Sequence, residues 1–340
     1  MKKVLSLILV AVMILSIGLT GCAKEEQAPA QGGQASGEKV TLKFSTTTAD
    51  TSTWTLGAKK FGELIAEKTG GRIEVKVYPN DQLSGGNQSK GIEMLMSGST
   101  DITFHSNIIY SVMDERFGVI SLPFLINDTE TADKVLGGAG GEAINKILLE
   151  KNIVGLGFGE NGFRQITNSK KAIESPADLS GLKIRIPGIK MYVALYKALG
   201  ADPITMNFGE VFTALQQGTI DGQENPTDVI SSSKINEVQK YMTVWDYSYD
   251  SIIFGMNKDK FESFSAEDQQ LIKEAAAEAC EYQRQINREK AQTQTQEFID
   301  GGMSVNVLTD EQKAAFKEAV QPVYTEYEPI MGKELIDAFK

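Results

Sequence analysis

The segment Leu182-Lys183-Ile184-Arg185-Ile186-Pro187 alternates with a period of two. That spacing puts Ile184 and Ile186 on the buried face of a strand and Arg185 on the other, just before the proline that ends it. Open α/β sheets carry their ligand crevices at the carboxyl ends of strands. Arg164 has a similar setting, flanked by Phe163, Gln165 and Thr167 in an alternating run. A guanidinium fork pairs bidentately with a carboxylate, which an ammonium cannot do, so the two arginines could converge on one acid. The plainer alternative is a pair of solvated side chains on exposed strand faces. The run Asp221-Gly222-Gln223-Glu224-Asn225-Pro226 is polar throughout. It reads either as a Gly/Pro turn or as a holder for Asn225, whose amide, fixed ahead of a proline, can meet an oxyanion or a hydroxyl.

Other constellations exclude more than they offer. Gly157-Phe158-Gly159-Glu160-Asn161-Gly162 matches G-x-G-x-x-G and follows an apolar run. A dinucleotide fingerprint must open a helix, whereas Phe163 to Asn168 alternates like a strand, so these glycines read as flexible backbone between two lobes. The chain holds one His and two Cys among 340 residues. That is too few for a disulfide framework or a Cys/His zinc site, and any His-dependent catalysis would have to use His105. Cys280 lies in an Ala- and Glu-rich run with no base nearby to activate it. With 34 basic and 45 acidic residues the formal charge is −11, a poor match for nucleic acid. No metal or cofactor is implied.

These residues need elements to position them. Val40, Leu42 and Phe44 alternate as a strand; Trp54 to Thr69 reads as an amphipathic helix stopped by Gly70-Gly71; Ile73, Val75 and Val77 alternate again. Strand, helix, strand argues for a parallel pair with a right-handed crossover. The pattern continues with a helix near Ser89 to Met96 and strands at Asp101 to Phe104, Asn152 to Phe158 and Leu182 to Ile186. Helices Met191 to Leu199 and Gly209 to Gln217 close at glycines, and Ile252 to Met256 is a further strand. Ser265 to about Gly301 is a long helical stretch, and Thr309 to Gln312 fits a capping box. Alternating strands and helices make the fold class α/β. Two lobes joined by crossing strands would place a ligand site in the cleft between them.

The first residues read as an address. Lys2 and Lys3 precede an apolar run from Val4 to Leu19, which falls short of the roughly 20 residues a membrane span needs. It ends in Leu19-Thr20-Gly21-Cys22, which resembles a bacterial lipobox, so residues 1–21 are expected to be a signal peptide and Cys22 the lipidated first mature residue. Residues 23–38 carry no large apolar side chain and suit a flexible tether. The expected product is a soluble body held at the outer face of a membrane by its lipid only.

Several strings taken together resemble the solute-binding proteins of TRAP transporters, the DctP-like family. They are Gly162 to Asn168, Asp178 to Pro187, Leu199 to Pro203, Glu210 to Gln216, Asp221 to Pro226 and Glu237 to Tyr241, in matching order and spacing. The resemblance implies a two-lobed, periplasmic-binding-protein-like fold of the class II type, with an inter-lobe cleft and a long spanning helix. Lobe I would hold 39–161 and 250–290, lobe II 162–249 and 302–340, with a helix around 265–301 bridging them. It implies a monomer that is not an enzyme, takes an organic acid anion and delivers it to TRAP permease membrane subunits. Arg185 matches the carboxylate-clamping arginine of the family, Arg164 a supporting one, and Asn225 a further carboxylate contact. Phe208 falls where an aromatic packs on the ligand's carbon chain. Candidates by position in the other lobe are Asp50, Trp54, Asn87, Gln88, His105 with Ser106, and Asn107; the second crossing strand offers Tyr247, Tyr249 and Asp250. Mostly neutral polar groups suit hydroxyls, and Asp50 or Asp250 would repel a second carboxylate, so a sugar acid such as a hexuronate or aldonate is expected. A C4-dicarboxylate or 2-oxo acid remains the alternative within the family. From other classes come a secreted enzyme acting on carboxylic acids, which would need a general base beside the arginines, and a sensory or ABC-type receptor.

Overall fold

Two sheets, each with helices packed on it, make up the computed structural model, which describes residues 39–340. Cys22, the lipobox and the tether lie outside the described residues. In chain order the strands are β1 (Val40–Thr46), β2 (Ile73–Tyr78), β3 (Ile102–Ser106), β4 (Ile153–Phe163), β5 (Gln165–Asn168) and β6 (Lys183–Ile186). They continue with β7 (Asp202–Thr205), β8 (Gly222–Asn225), β9 (Tyr241–Val244), β10 (Tyr249–Asn257) and β11 (Ser304–Val307). The first sheet has the order β2-β1-β3-β10-β4 and the second β11-β9-β5-β8-β6-β7.

The first lobe begins as its sequence pattern demands. β1 pairs in parallel with both β2 and β3, and the helix Thr53–Lys68 makes the crossover between β1 and β2. The apolar positions of these elements meet in an aromatic cluster of Phe44, Phe61, Phe104 and Phe254, with ring centroids 5.0 to 6.4 Å apart. The second lobe buries Val211, Leu215, Ile220, Ile230 and Met242 against its own sheet.

Three stretches join the lobes. β4 and β10 run antiparallel in the first sheet, and the chain passes directly from β4 into β5 and from β9 towards β10. The third link is the helix Ala266–Asp300, capped by Ser265, which packs on the helix Thr53–Lys68 and on β4 and then leads to β11 in the second sheet. The C-terminal helix Gln321–Met331 touches both the helix Lys190–Ala198 and the turn Glu115–Ser121. Among the described residues, no helix is long and apolar enough to cross a membrane.

The glycines of the G-x-G-x-x-G string lie within the strand β4 rather than in a loop between the lobes. A Cβ on Gly159 would lie 2.4 Å from the Phe104 ring and 2.6 Å from the Gln283 amide, so the position is held small by packing. Gly162 has φ +99°, and the β4–β10 register slips here, Asp250 facing Gly162 and Ser251 facing Glu160. Asn161 is therefore the extra residue of a β-bulge, a device that re-aims a side chain.

Candidate functional site

A cavity of about 350 Å³, its mouth included, lies between the lobes. On the second lobe, β6 brings Arg185 to it, β8 brings Asn225, and the start of the helix Phe208–Gln217 brings Phe208. From the first lobe and the crossing strands come Trp54, Gln88, Asp250 and Arg164.

The two arginines are in different electrostatic states. Arg164 is buried and fully engaged. Its Nε and Nη2 donate to the Glu224 carboxylate, Nη1 donates to Asp250, and Nη2 also donates to the Glu224 carbonyl at 2.8 Å and to Asn225 Oδ1 at 3.0 Å. Burial opposes its charge, but Glu224 and Asp250 outweigh that and hold the guanidinium well above its usual pKa. Burial pushes the Asp250 carboxyl up, against the pull of Arg164 and the donors Ser106 and Asn161.

Arg185 is only 2 % exposed, and among the described residues no carboxylate lies within ion-pair distance of it. Its Nε and Nη2 donate to the Met206 carbonyl at 3.1 and 2.7 Å, which fixes the plane of the fork, and the Phe208 ring lies 5.7 Å away. Burial pushes this guanidinium down to about 10. A buried cation without an anion is costly in a folded protein, and the remedy is an anion supplied from outside. The two arginines thus differ in their own partners: Arg164 is paired with Glu224 and Asp250, whereas Arg185 is held by a carbonyl alone.

The strand around Arg185 differs from the expectation in one respect. Ile184, Arg185 and Ile186 are all buried, because β6 is flanked in parallel by β7 and β8 and both faces of the sheet are covered. The polar run after Asp221 is no turn. It forms β8, whose residues Gln223, Glu224 and Asn225 are all buried in a polar ladder: Asn225 donates to Gln223, and Gln223 donates to Thr167.

Five expected contacts do not line the cavity. Asp50 is exposed and pairs with Lys59 at 2.8 Å. Asn87 is the N-cap of the helix Gln88–Met96, accepting from the Lys90 N–H, so its side chain serves the helix. His105 lies on β3 next to Ser106, and the period of two turns it to the opposite face, against Gly91 and 3.3 Å from Asp81. Asn107 donates to Phe117 and Ser121 and accepts from Ser251, which fastens three segments together. Tyr247 sits behind the site, donating to Glu224 at 2.8 Å, and the further candidate Tyr249 donates to Glu160.

Other residues reach the cavity without an individual signal in the sequence. Asn161, turned by the bulge, donates to Asp250 at 2.7 Å and accepts from the Trp54 indole at 3.2 Å. Thr47 and Thr48 line it from just beyond β1. Asp228, on the short helix after Asn225, reaches across to the other lobe. It accepts from Ser52 Oγ at 2.6 Å and from the Thr53 N–H at 3.2 Å, capping the helix that carries Trp54. In sequence it is an ordinary acid in its own helix's first turn. Cys280 is buried and its thiol is pushed up to about 12, which removes it as a nucleophile. Among the described residues, no cluster of three or more His, Cys, Asp or Glu could hold a metal.

Residues 44–329 match the family described as bacterial extracellular solute-binding protein, family 7. The chain belongs to that family. It is 36 % identical over 281 residues to the 2,3-diketo-L-gulonate-binding periplasmic protein YiaO of Escherichia coli, covering 82 % of this chain and 84 % of YiaO. It is 35 % identical over 305 residues to the C4-dicarboxylate-binding periplasmic protein DctP of Rhodobacter capsulatus, covering 89 % and 91 %. The crystal structure of the sugar acid binding protein DctPAm from Advenella mimigardefordensis, in complex with galactonate, superposes with a TM-score of 0.85 at 33 % identity, covering 89 % of this chain and 98 % of that one. A family 7 protein is an extracytoplasmic receptor of a TRAP transporter that binds a small organic acid, and it is not an enzyme.

Proposed function

We propose that this family 7 protein captures an organic acid bearing one carboxylate and several hydroxyl or oxo groups, a sugar acid, and delivers it to TRAP permease subunits. The observation that carries this is Arg185, a buried cation with no carboxylate at ion-pair distance among the described residues, lining the cleft. The ligand carboxylate pairs with its free fork edge and with the remaining Asn225 N–H, and closure of the lobes buries the pair. Phe208 and Trp54 flank the carbon chain, and Gln88 offers an amide to its substituents. Arg164 supports the site by holding Asn225 and Asp250 rather than by clamping.

Charge decides between sugar acid and dicarboxylate. Arg164 is already matched by Glu224 and Asp250, so the cavity has one uncompensated cation and a buried carboxylate besides. A second ligand carboxylate would meet Asp250. The sugar acids named for YiaO and for DctPAm agree with this, and the C4-dicarboxylate named for the Rhodobacter relative is the second reading. Thermal shift of the 39–340 domain against aldonates, uronates, C4-dicarboxylates and 2-oxo acids tests it. A rise in melting temperature with sugar acids is expected. A rise with dicarboxylates alone would replace the sugar-acid reading by the second one.

We further propose that the protein acts as a monomer and that Cys22 carries a lipid which tethers it. Labelled palmitate is expected to enter the wild-type protein and not Cys22→Ser, which would leave the membrane fraction. Equal labelling of the two would end that proposal.

A further inference from the structure

The polar groups around the cavity can be sorted by what they already bind. Ser106 gives its hydroxyl proton to Asp250 and accepts from the Ile108 N–H. Asn161 is used at both ends, by Asp250 and by Trp54. Asp250 receives Ser106, Asn161 and Arg164. Thr47 donates to Asp81 at 3.4 Å. Apart from the anion-binding edge of Arg185 and Asn225, two side chains remain.

Thr48 is the sharper of them. It lines the cavity, is 1 % exposed, and its Oγ1 has no hydrogen-bond partner among the described residues. Buried polar side-chain atoms in native interiors nearly all have partners, so an orphan on a cavity wall marks a place where a partner arrives. Gln88 opens the helix Gln88–Met96 on the same lobe, lines the same cavity, and its amide makes no hydrogen bond with the described residues. A hydroxyl and a carboxamide can each both donate and accept, the requirement for recognising a hydroxyl group.

We propose that Thr48 is a specificity-determining residue that reads one ligand hydroxyl, assisted by Gln88, so that the protein rejects an acid lacking that hydroxyl. This rests on the reading of Arg185 as the carboxylate anchor. A site built to hydrogen-bond a hydroxyl leaves its own polar groups unpaired when the hydroxyl is missing, and so it discriminates strongly.

The test is calorimetric titration of wild type, Thr48→Val and Arg185→Ala with galactonate, gluconate and glucuronate, each beside its monodeoxy analogues, and with succinate. Valine keeps the shape of threonine. In the wild type, loss of one particular hydroxyl should weaken binding about ten-fold or more, and in Thr48→Val that penalty should fall below about three-fold. Because the hydroxyl has no partner among the described residues, the melting temperature of unliganded Thr48→Val should not fall, which separates recognition from a structural role. An unchanged deoxy penalty in Thr48→Val overturns the proposal and leaves the anchor standing. Binding of succinate but of no sugar acid also overturns it. If no acid binds, or Arg185→Ala binds as the wild type does, the anchor itself fails and Thr48 falls with it.

Discussion

Arg185→Ala is expected to weaken acid binding by about 10²- to 10⁴-fold, the effect of losing two charge-assisted hydrogen bonds of roughly 1.5–3 kcal/mol each. Arg185→Lys should restore little. Met206 fixes a planar fork whose outer edge presents two parallel N–H groups, and a lysine ammonium is a point charge with no such edge. The same residue should be a liability without ligand. Burial lowers its pKa to about 10, meaning that the folded state disfavours the charge which the unfolded chain carries freely in water. At neutral pH the group is charged in both states, so the full cost applies there. Arg185→Met should therefore raise the melting temperature of the unliganded protein, by about 2–4 °C for each kcal/mol recovered, while abolishing the ligand-induced rise. Calorimetry with and without ligand checks both halves. A variant that is less stable when empty yet still binds would contradict this account of Arg185.

What could be read from the sequence follows the strength of the local signal. β1, β2, β3 and the helices Thr53–Lys68 and Ala266–Asp300 announce themselves by period and by caps, and the structure has them where the pattern placed them. β8 was illegible as a strand, because Gln223, Glu224 and Asn225 carry no apolar alternation; their burial is satisfied by bonds to Thr167 and Arg164 that only the fold supplies. The site shows the same division. Residue type and strand context made Arg185 and Arg164 visible, but not which of them was free, since that depends on Glu224 lying 60 positions away in sequence. Asn87 and Asn107 looked like ligand contacts because an amide in a loop has no single meaning; one became a cap and the other a clip. Asn161 was hidden for a different reason. Its aim comes from a register slip between β4 and β10, a property of the pair and not of either strand.

Arg164→Leu is expected to be the most destabilising substitution in the site, by about 3–5 kcal/mol, because it leaves Glu224 and Asp250 buried without their shared cation. The loss should depend on pH in a definite direction. In the wild type the guanidinium offsets much of the burial cost on the two carboxylates. Burial already holds the Asp250 carboxyl above its ordinary value, and without the cation it rises further, so the folded variant binds a proton that the unfolded variant has released. Its stability is then retained at low pH and lost as pH rises through the raised value. Arg164→Leu should accordingly lose far more stability, relative to wild type, at pH 7.5 than at pH 5. Adding Asp250→Asn should return part of the loss at pH 7.5 and little at pH 5, since the amide removes the charge that acid would have removed. The rescue should be incomplete, because Glu224 stays buried without its cation and the Ser106 hydroxyl and Asn161 amide, which both donate to Asp250, must share one amide oxygen. Denaturant melts of the four proteins at the two pH values form a double-mutant cycle with a proton as its third variable. A destabilisation independent of pH would mean that Arg164 acts through packing on Tyr192 rather than through its two carboxylates.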